Sequence, residues 1–277
     1  MPKSVRALLL ASHPGPTIVV TIVAGVLGFG LGYPLGRLIL LMAAVLAGQL
    51  SIGWSNDWID AGRDAAVHRR DKPAARGAIA VTAVRTAAFT AAGATVVLSL
   101  LLGPLAAAVH ILAVGMGWAY NLGLKNTAVS FLPYAVSFGL LPAVATLGQT
   151  VPRFAAPWVL AVGALLGVAA HFTNVLPDLA DDRDTGIRGL PHRLGSRPSG
   201  YIAFACVGIA TVILTFAPGP HPNAALLVGL VAGLTIAIVG TILVARTNTT
   251  RVLMRLIMAC ALIDVVMLAL AGQSTAL

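Results

Sequence analysis

The sequence predicts an all-α polytopic membrane protein with about nine transmembrane helices. Hydrophobic residues make up 58% of the 277 residues and only 10% are charged, against about 25% in an ordinary soluble domain. The mean hydropathy is +0.92, and long apolar segments recur along the whole chain. This composition excludes a disordered chain, a secreted disulfide-rich scaffold and almost any soluble globular domain.

The elements follow from the apolar segments, since a helix needs about 20 such residues to cross the hydrocarbon core. We predict nine spans, at residues 16–33, 35–55, 78–102, 104–122, 127–148, 156–177, 201–217, 224–245 and 252–272. They leave too little chain for a separate soluble domain. Residues 1–277 are therefore expected to form a single transmembrane domain.

The basic residues predict the orientation. With the N-terminus in the cytoplasm and sides alternating, sixteen of the 18 Lys and Arg residues fall in or beside inner segments, and Arg37 and Arg153 fall outside. Basic loops beside spans indicate the cytoplasmic side, so the net charge of +9 does not require nucleic acid. This orientation places the C-terminus outside, and we predict no obligate protein partner.

Two further features bear on processing and redox state. The first apolar run is broken by Ser-His-Pro-Gly-Pro at residues 12–16. This break predicts a short interfacial segment that leads into a retained first span, not a cleaved signal peptide. Cys206 and Cys260 both lie inside predicted spans, where we interpret them as small apolar residues without a disulfide.

The acidic residues are concentrated at two places. All nine are Asp, and eight lie in two windows, residues 57–71 and 178–184. These windows begin the two long inner connections, which follow spans 2 and 6. The pattern is typical of a weak internal repeat with a site between two related halves, although two loops that merely look alike would give the same pattern.

In the first window the spacing predicts a metal site. If span 2 continues as a helix, Asp57, Asp60 and Asp64 lie within an arc of about 60°. Carboxylates so close repel each other unless a cation lies between them, and Mg²⁺ is the usual cation when phosphates complete its shell. Asn56 would add an amide oxygen. A diphosphate could then be held between the metal and the basic residues that follow, Arg69, Arg70, Lys72 and Arg76. The alternative is a solvated mixed-charge loop.

In the second window a polar stripe leaves the membrane. On a helix, His171, Asn174, Asp178 and Asp182 lie on one side, and such groups inside a span usually face a cavity or the bundle interior. A buried structural histidine is the alternative for His171, since Mg²⁺ prefers oxygen ligands. Asp264, in the middle of the last span, has either a structural role or a role in substrate contact or proton acceptance.

These residues resemble the UbiA superfamily of intramembrane prenyltransferases. Residues 56–64 match every position of its first motif, N-D-x-x-D-x-x-x-D. Asp178 and Asp182, followed by Arg183 and Gly186, match its second motif. The stretch 189–195 is similar to T-L-P-x-x-x-G, and Tyr120 to Lys125 looks like the family's Tyr/Lys element at the cytoplasmic end of span 4.

The resemblance implies a ring of nine helices around a cavity that opens to the cytoplasm and to lipid. It implies that Mg²⁺ on both Asp motifs binds the diphosphate of an allylic isoprenoid, which ionises before a lipophilic acceptor, often an aromatic or quinone-type ring, attacks. The expected metal ligands are Asn56, Asp57, Asp60, Asp64, Asp178 and Asp182, and Tyr120 is expected to shield the carbocation. The expected diphosphate-binding residues are Asn56, Arg63, Arg70, Lys72, Arg76, Lys125, Asn174 and Arg183.

Other functions fit less well. Two variants within the same superfamily would share the ionisation step but form a different product. They are cyclisation of the prenyl chain and transfer of a phosphoribosyl group to a lipid phosphate. Transporters place their ion sites near the bilayer midplane, whereas these acids lie at helix ends beside cations. Phospholipid head-group transferases require D-x-x-D-G-x-x-A-R, which Ala61-Gly62-Arg63 does not match.

Overall fold

The computed structural model describes residues 3–67, 69, 72–176, 179, 187–246 and 250–271. In these residues all regular structure is helical. The α-helices are α1 (Lys3–Ala11), α2 (Pro14–Gly30), α3 (Leu35–Ala66), α4 (Val81–Leu102), α5 (Pro104–Leu122), α6 (Leu132–Leu147), α7 (Pro157–Val175), α8 (Leu190–Leu194), α9 (Ser196–Phe216), α10 (Ala224–Arg246) and α11 (Thr250–Ala271), and a short 3₁₀ helix covers Leu124–Asn126.

The long helices form a closed ring. Helices α2 to α7 pack against their neighbours in chain order, α7 packs against α9, and α9 to α11 continue the series. Helix α11 then packs against α2 and closes the ring. Large apolar side chains such as Phe29, Val228 and Leu262 point outward and are more than half exposed, as expected for a surface that faces lipid.

Each predicted span coincides with one of these helices, but their lengths differ. Seven described helices are long and apolar enough to cross a membrane, and the pair α1–α2, bent by 64°, is an eighth candidate. Helix α6 is a shorter apolar helix of 16 residues. The span predicted at 127–148 begins only at Leu132, because the preceding residues form hydrogen-bonded turns, with Ser130 N donating to Thr127 O over 3.2 Å.

One arginine ties helix ends together at the start of α3. Arg37 donates from Nε to Gly148 O and from Nη2 to Leu102 O, each over 2.5 Å. These carbonyls belong to the C-terminal ends of α6 and α4, which lack helical partners and carry partial negative charge. The predicted outer arginine therefore has a structural role.

Asp264 joins two helices inside the ring. It is fully buried on α11, and its Oδ1 accepts a hydrogen bond of 2.7 Å from Thr211 Oγ1 on α9. Its Oδ2 is buried without a hydrogen-bond partner. This contact favours the structural explanation of the intramembrane carboxyl.

We expect Thr211→Val to destabilise the protein by about 1–3 kcal/mol, since it leaves both oxygens of Asp264 without a hydrogen bond. Thr215→Val is the matched control, because Thr215 Oγ1 donates only to Thr211 O on the same helix. Thermal unfolding in detergent measures the difference. Equal melting temperatures for the two variants would contradict the proposed pairing.

Candidate active site

Helix α3 carries the first Asp motif on its last turns. The helix continues to Ala66, eleven residues beyond the predicted end of span 2, so the spacing of the three carboxylates is helical. Asp57, Asp60 and Asp64 are all buried, with exposed fractions of 1%, 6% and 3%. Buried carboxylates need cations or hydrogen-bond donors nearby, and other elements supply them.

Asp60 is neutralised by two cations. Lys125 Nζ lies 2.5 Å from Asp60 Oδ1 and 2.6 Å from Oδ2, and Arg63 Nη2 lies 3.0 Å from Oδ2. Lys125 is itself buried on the 3₁₀ helix after α5. Burial lowers the pKa of Lys125, and the charge of Asp60 opposes that change. The structure thus brings together three residues that the sequence placed in two separate motifs.

An amide network extends this cluster. Asn56 Nδ2 donates to Asp60 Oδ2 and to Asn121 Oδ1, each over 3.2 Å. Asn121 Nδ2 in turn donates to Ser55 Oγ over 2.8 Å. Sequence reasoning missed Asn121, although its position beside Tyr120 in the Tyr/Lys element is a signal that could have found it.

The loop after α3 folds back over the motif. Lys72 Nζ donates to Asn56 Oδ1 over 3.1 Å and lies 3.4 Å from Asp57 Oδ1. It also lies 2.9 Å from His13 Nε2. The backbone N–H of Ala74 donates to Asp57 Oδ2 over 3.4 Å. His13 comes from the segment before α2, 59 positions from Lys72 in the chain, and it was not among the predicted site residues.

Two other predicted diphosphate-binding residues are described, and neither is buried. Arg76 is exposed on the same loop, and Asn174 is exposed near the end of α7. Arg70, Asp178, Asp182 and Arg183 lie outside the described residues, so the second motif is known here only as sequence. Among the residues described, no three His, Cys, Asp or Glu side chains are grouped to hold a metal.

The donor atoms of the first motif nonetheless fit Mg²⁺. Asp57 Oδ1 and Asp64 Oδ2 are buried and have no hydrogen-bond partner. Both are carboxylate oxygens, the hard donor atoms that Mg²⁺ prefers, and Asn56 on the same helix carries an amide oxygen that contacts Lys72. The second motif would have to complete the site, since these groups alone do not surround an ion.

Aromatic rings line the neighbouring ends of α5, α6 and α7. The ring centroid of Tyr120 lies 5.2 Å from that of Tyr134 and 5.8 Å from that of His171. His171 Nε2 lies 3.0 Å from Ser130 Oγ, which accepts from Leu190 N. His171 therefore has a structural partner. Tyr120 belongs to a packed aromatic cluster and precedes Lys125 by five residues.

Comparison with known proteins settles the family. Residues 17–272 match the model of the UbiA prenyltransferase family. The chain belongs to this family. The match covers most of the chain and confirms the expected enzyme class, a membrane prenyltransferase.

Individual relatives agree with this assignment. The digeranylgeranylglyceryl phosphate synthases of Natronomonas pharaonis and Pyrococcus horikoshii are 27% and 29% identical to this UbiA-family chain. The alignments cover 79% and 77% of each chain, respectively. A UbiA homologue from Archaeoglobus fulgidus, solved with GPP and Mg²⁺, superposes with a TM-score of 0.74 over 96% of this chain and 99% of its own, at 11% identity. That likeness confirms the predicted fold.

Proposed function

We propose that this protein transfers a prenyl group from an allylic isoprenoid diphosphate to a lipophilic acceptor and releases diphosphate. The carbon–oxygen bond to diphosphate breaks, its electron pair leaves with the diphosphate, and an electron pair of the acceptor forms the new bond while a proton is lost. The observation that supports this most is the first Asp motif, in which buried carboxylates face lysines and Asp57 Oδ1 and Asp64 Oδ2 have no hydrogen-bond partner.

Mg²⁺ is the proposed cofactor, held by Asn56, Asp57, Asp60 and Asp64 together with Asp178 and Asp182. When bound, it would supply Lewis-acid stabilisation of the departing diphosphate. The UbiA homologue from Archaeoglobus fulgidus was solved with Mg²⁺ and GPP, which supports this choice of metal and substrate class.

The protein's own cations have a related role. Lys72 and Lys125 hold the motif carboxylates in the structure, so their ammonium groups are close to where a diphosphate would lie. Fixed cations stabilise negative charge that develops on a leaving group. We propose that Arg63, Arg70, Arg76, Arg183 and Asn174 add to diphosphate binding, and that Tyr120 turns its ring toward the allylic cation.

The acceptor has two candidate classes. An aromatic or quinone-type ring is the acceptor that the motif resemblance favours. A prenylated glycerol phosphate is the second, since both curated relatives are named digeranylgeranylglyceryl phosphate synthase. We further propose that the chain is a single domain with its N-terminus and site at the cytoplasmic face and its C-terminus outside, in keeping with the distribution of basic residues.

The test is an assay of purified protein with a panel of allylic diphosphates, Mg²⁺, and both acceptor classes. We expect diphosphate release with one chain length preferred, and a product mass equal to acceptor plus prenyl group. Asp57→Ala should abolish release, whereas Asp264→Asn, which keeps an oxygen for Thr211, should not. Release that persists in Asp57→Ala, or no release with any diphosphate, would contradict the proposal. A cyclised product would show that ionisation occurs but that the prenyl group is not transferred to an acceptor.

A further inference from the structure

The segment between α1 and α2 has an unusual backbone. The two helices meet at an angle of 64°, and we call residues 11–14 the elbow. His13 has φ 53° and ψ 65°, and among the described residues it is the single non-glycine residue with positive φ. A left-handed conformation is uncommon outside glycine and persists where surrounding contacts determine it.

The elbow is seated on the helix that carries the Asp motif. A Cβ at Gly53 of α3 would overlap the Ser12 carbonyl oxygen, so only glycine allows this close approach. The same carbonyl accepts a 2.9 Å hydrogen bond from Thr17 Oγ1. One residue beyond Gly53, Trp54 Nε1 donates to Leu8 O over 2.9 Å. These contacts fix the elbow one turn before Asn56 and Asp57.

The elbow presents one side chain to the site. His13 Nε2 lies 2.9 Å from Lys72 Nζ, and an ammonium group can only donate hydrogen bonds. Nε2 therefore accepts this hydrogen bond from the ammonium group. Lys72 Nζ also donates to Asn56 Oδ1 over 3.1 Å and lies 3.4 Å from Asp57 Oδ1. The ammonium group therefore lies between the imidazole and the first Asp motif.

We propose that His13 is a positioning residue, which holds the Lys72 ammonium group at the first Asp motif so that it meets the diphosphate of the substrate. The left-handed backbone of His13 aims the imidazole, and the Gly53 contact sets its height along α3. If the elbow had only a structural role, its backbone conformation would matter and the imidazole would not. The inference rests on the proposed function, because it concerns how Lys72 reaches the diphosphate.

Three substitutions separate these roles. His13→Gly removes the imidazole and accommodates positive φ at least as well, His13→Gln restores an acceptor of similar reach, and Lys72→Met removes the ammonium group. We expect His13→Gly to lower kcat/KM for the allylic diphosphate about tenfold, as for the loss of a hydrogen bond to a charged group. Most of this change should be in KM, with the melting temperature unchanged. His13→Gln should recover most of the activity.

The double variant decides whether His13 acts through Lys72. In His13→Gly/Lys72→Met, we expect kcat/KM to equal that of Lys72→Met, because the partner of the imidazole is already absent. If His13→Gly lowers kcat/KM by the same factor in both backgrounds, or lowers the melting temperature instead, the positioning role is overturned. The wild-type control keeps the two proposals apart, since a wild type that releases no diphosphate would refute the proposed function itself.

Discussion

Asp60→Ala is expected to slow diphosphate release by about 10²–10³-fold and to destabilise the folded protein. Asp60 accepts both short contacts of Lys125, and removal of its carboxylate leaves a buried ammonium group without its counter-charge. Breaking one partner of a buried ion pair costs about 3–5 kcal/mol. In the proposed reaction Asp60 acts through the cations that it holds, and loss of such charge stabilisation lowers kcat by about 10²–10³-fold. Diphosphate release and thermal unfolding in detergent measure the two effects.

A second substitution separates stability from activity. In Asp60→Ala/Lys125→Met the buried cation is also removed, so much of the lost stability should return, because the methionine side chain is apolar and similar in length. Activity should stay at the level of Asp60→Ala, since neither the proposed metal ligand nor the cation is restored. If the double variant recovers activity along with stability, Asp60 acts only through folding and its assignment to the site is wrong.

Gly167→Ala is expected to have the largest effect of any single added methyl group at the α6–α7 interface. A Cβ at Gly167 would overlap the Tyr134 carbonyl oxygen, and a Cβ at Gly163 would overlap the Phe138 carbonyl oxygen. Backbone cannot move aside as a side-chain end can, so we expect a loss of about 3 kcal/mol, the upper part of the usual overpacking range. Displacement of Tyr134 would also disturb Tyr120, so activity should fall as well.

Gly93→Ala is the matched control for this prediction. Gly93 lies in the middle of α4 and has open space around the position of a Cβ. Since alanine favours helix over glycine by about 1 kcal/mol, this variant should be as stable as the wild type or more so. Thermal unfolding of both variants in one detergent gives the comparison, and a similar loss in both would show that the α6–α7 contact is looser than described.

The helical elements could be predicted from sequence because apolarity and chain length are local properties. Each predicted span coincides with a helix, and the helical spacing of Asp57, Asp60 and Asp64 required only that α3 continue to Ala66. The error at 127–148 has a local cause too. Apolar residues there form turns instead of helix, and hydropathy does not distinguish the two.

The partners of the polar residues could not be predicted in the same way. Lys125 was expected to bind diphosphate, but its bidentate contact with Asp60 joins residues 65 positions apart. The contact of His13 with Lys72 spans 59 positions, and nothing in the motif pattern points to His13. Asp264 could be named as an intramembrane acid, yet its pairing with Thr211 depends on how α9 and α11 meet.

The sequence alone determined the membrane class, the positions of the helices, the two Asp motifs and the family they resemble, because each depends on residues near one another in the chain. Only the tertiary structure decided which cation neutralises which carboxylate, and that the elbow before α2 reaches the first motif. The physical reason is that a buried charge must find its partner wherever neighbouring helices supply one. That choice depends on the close approaches allowed by residues such as Gly53, which local sequence patterns do not reveal.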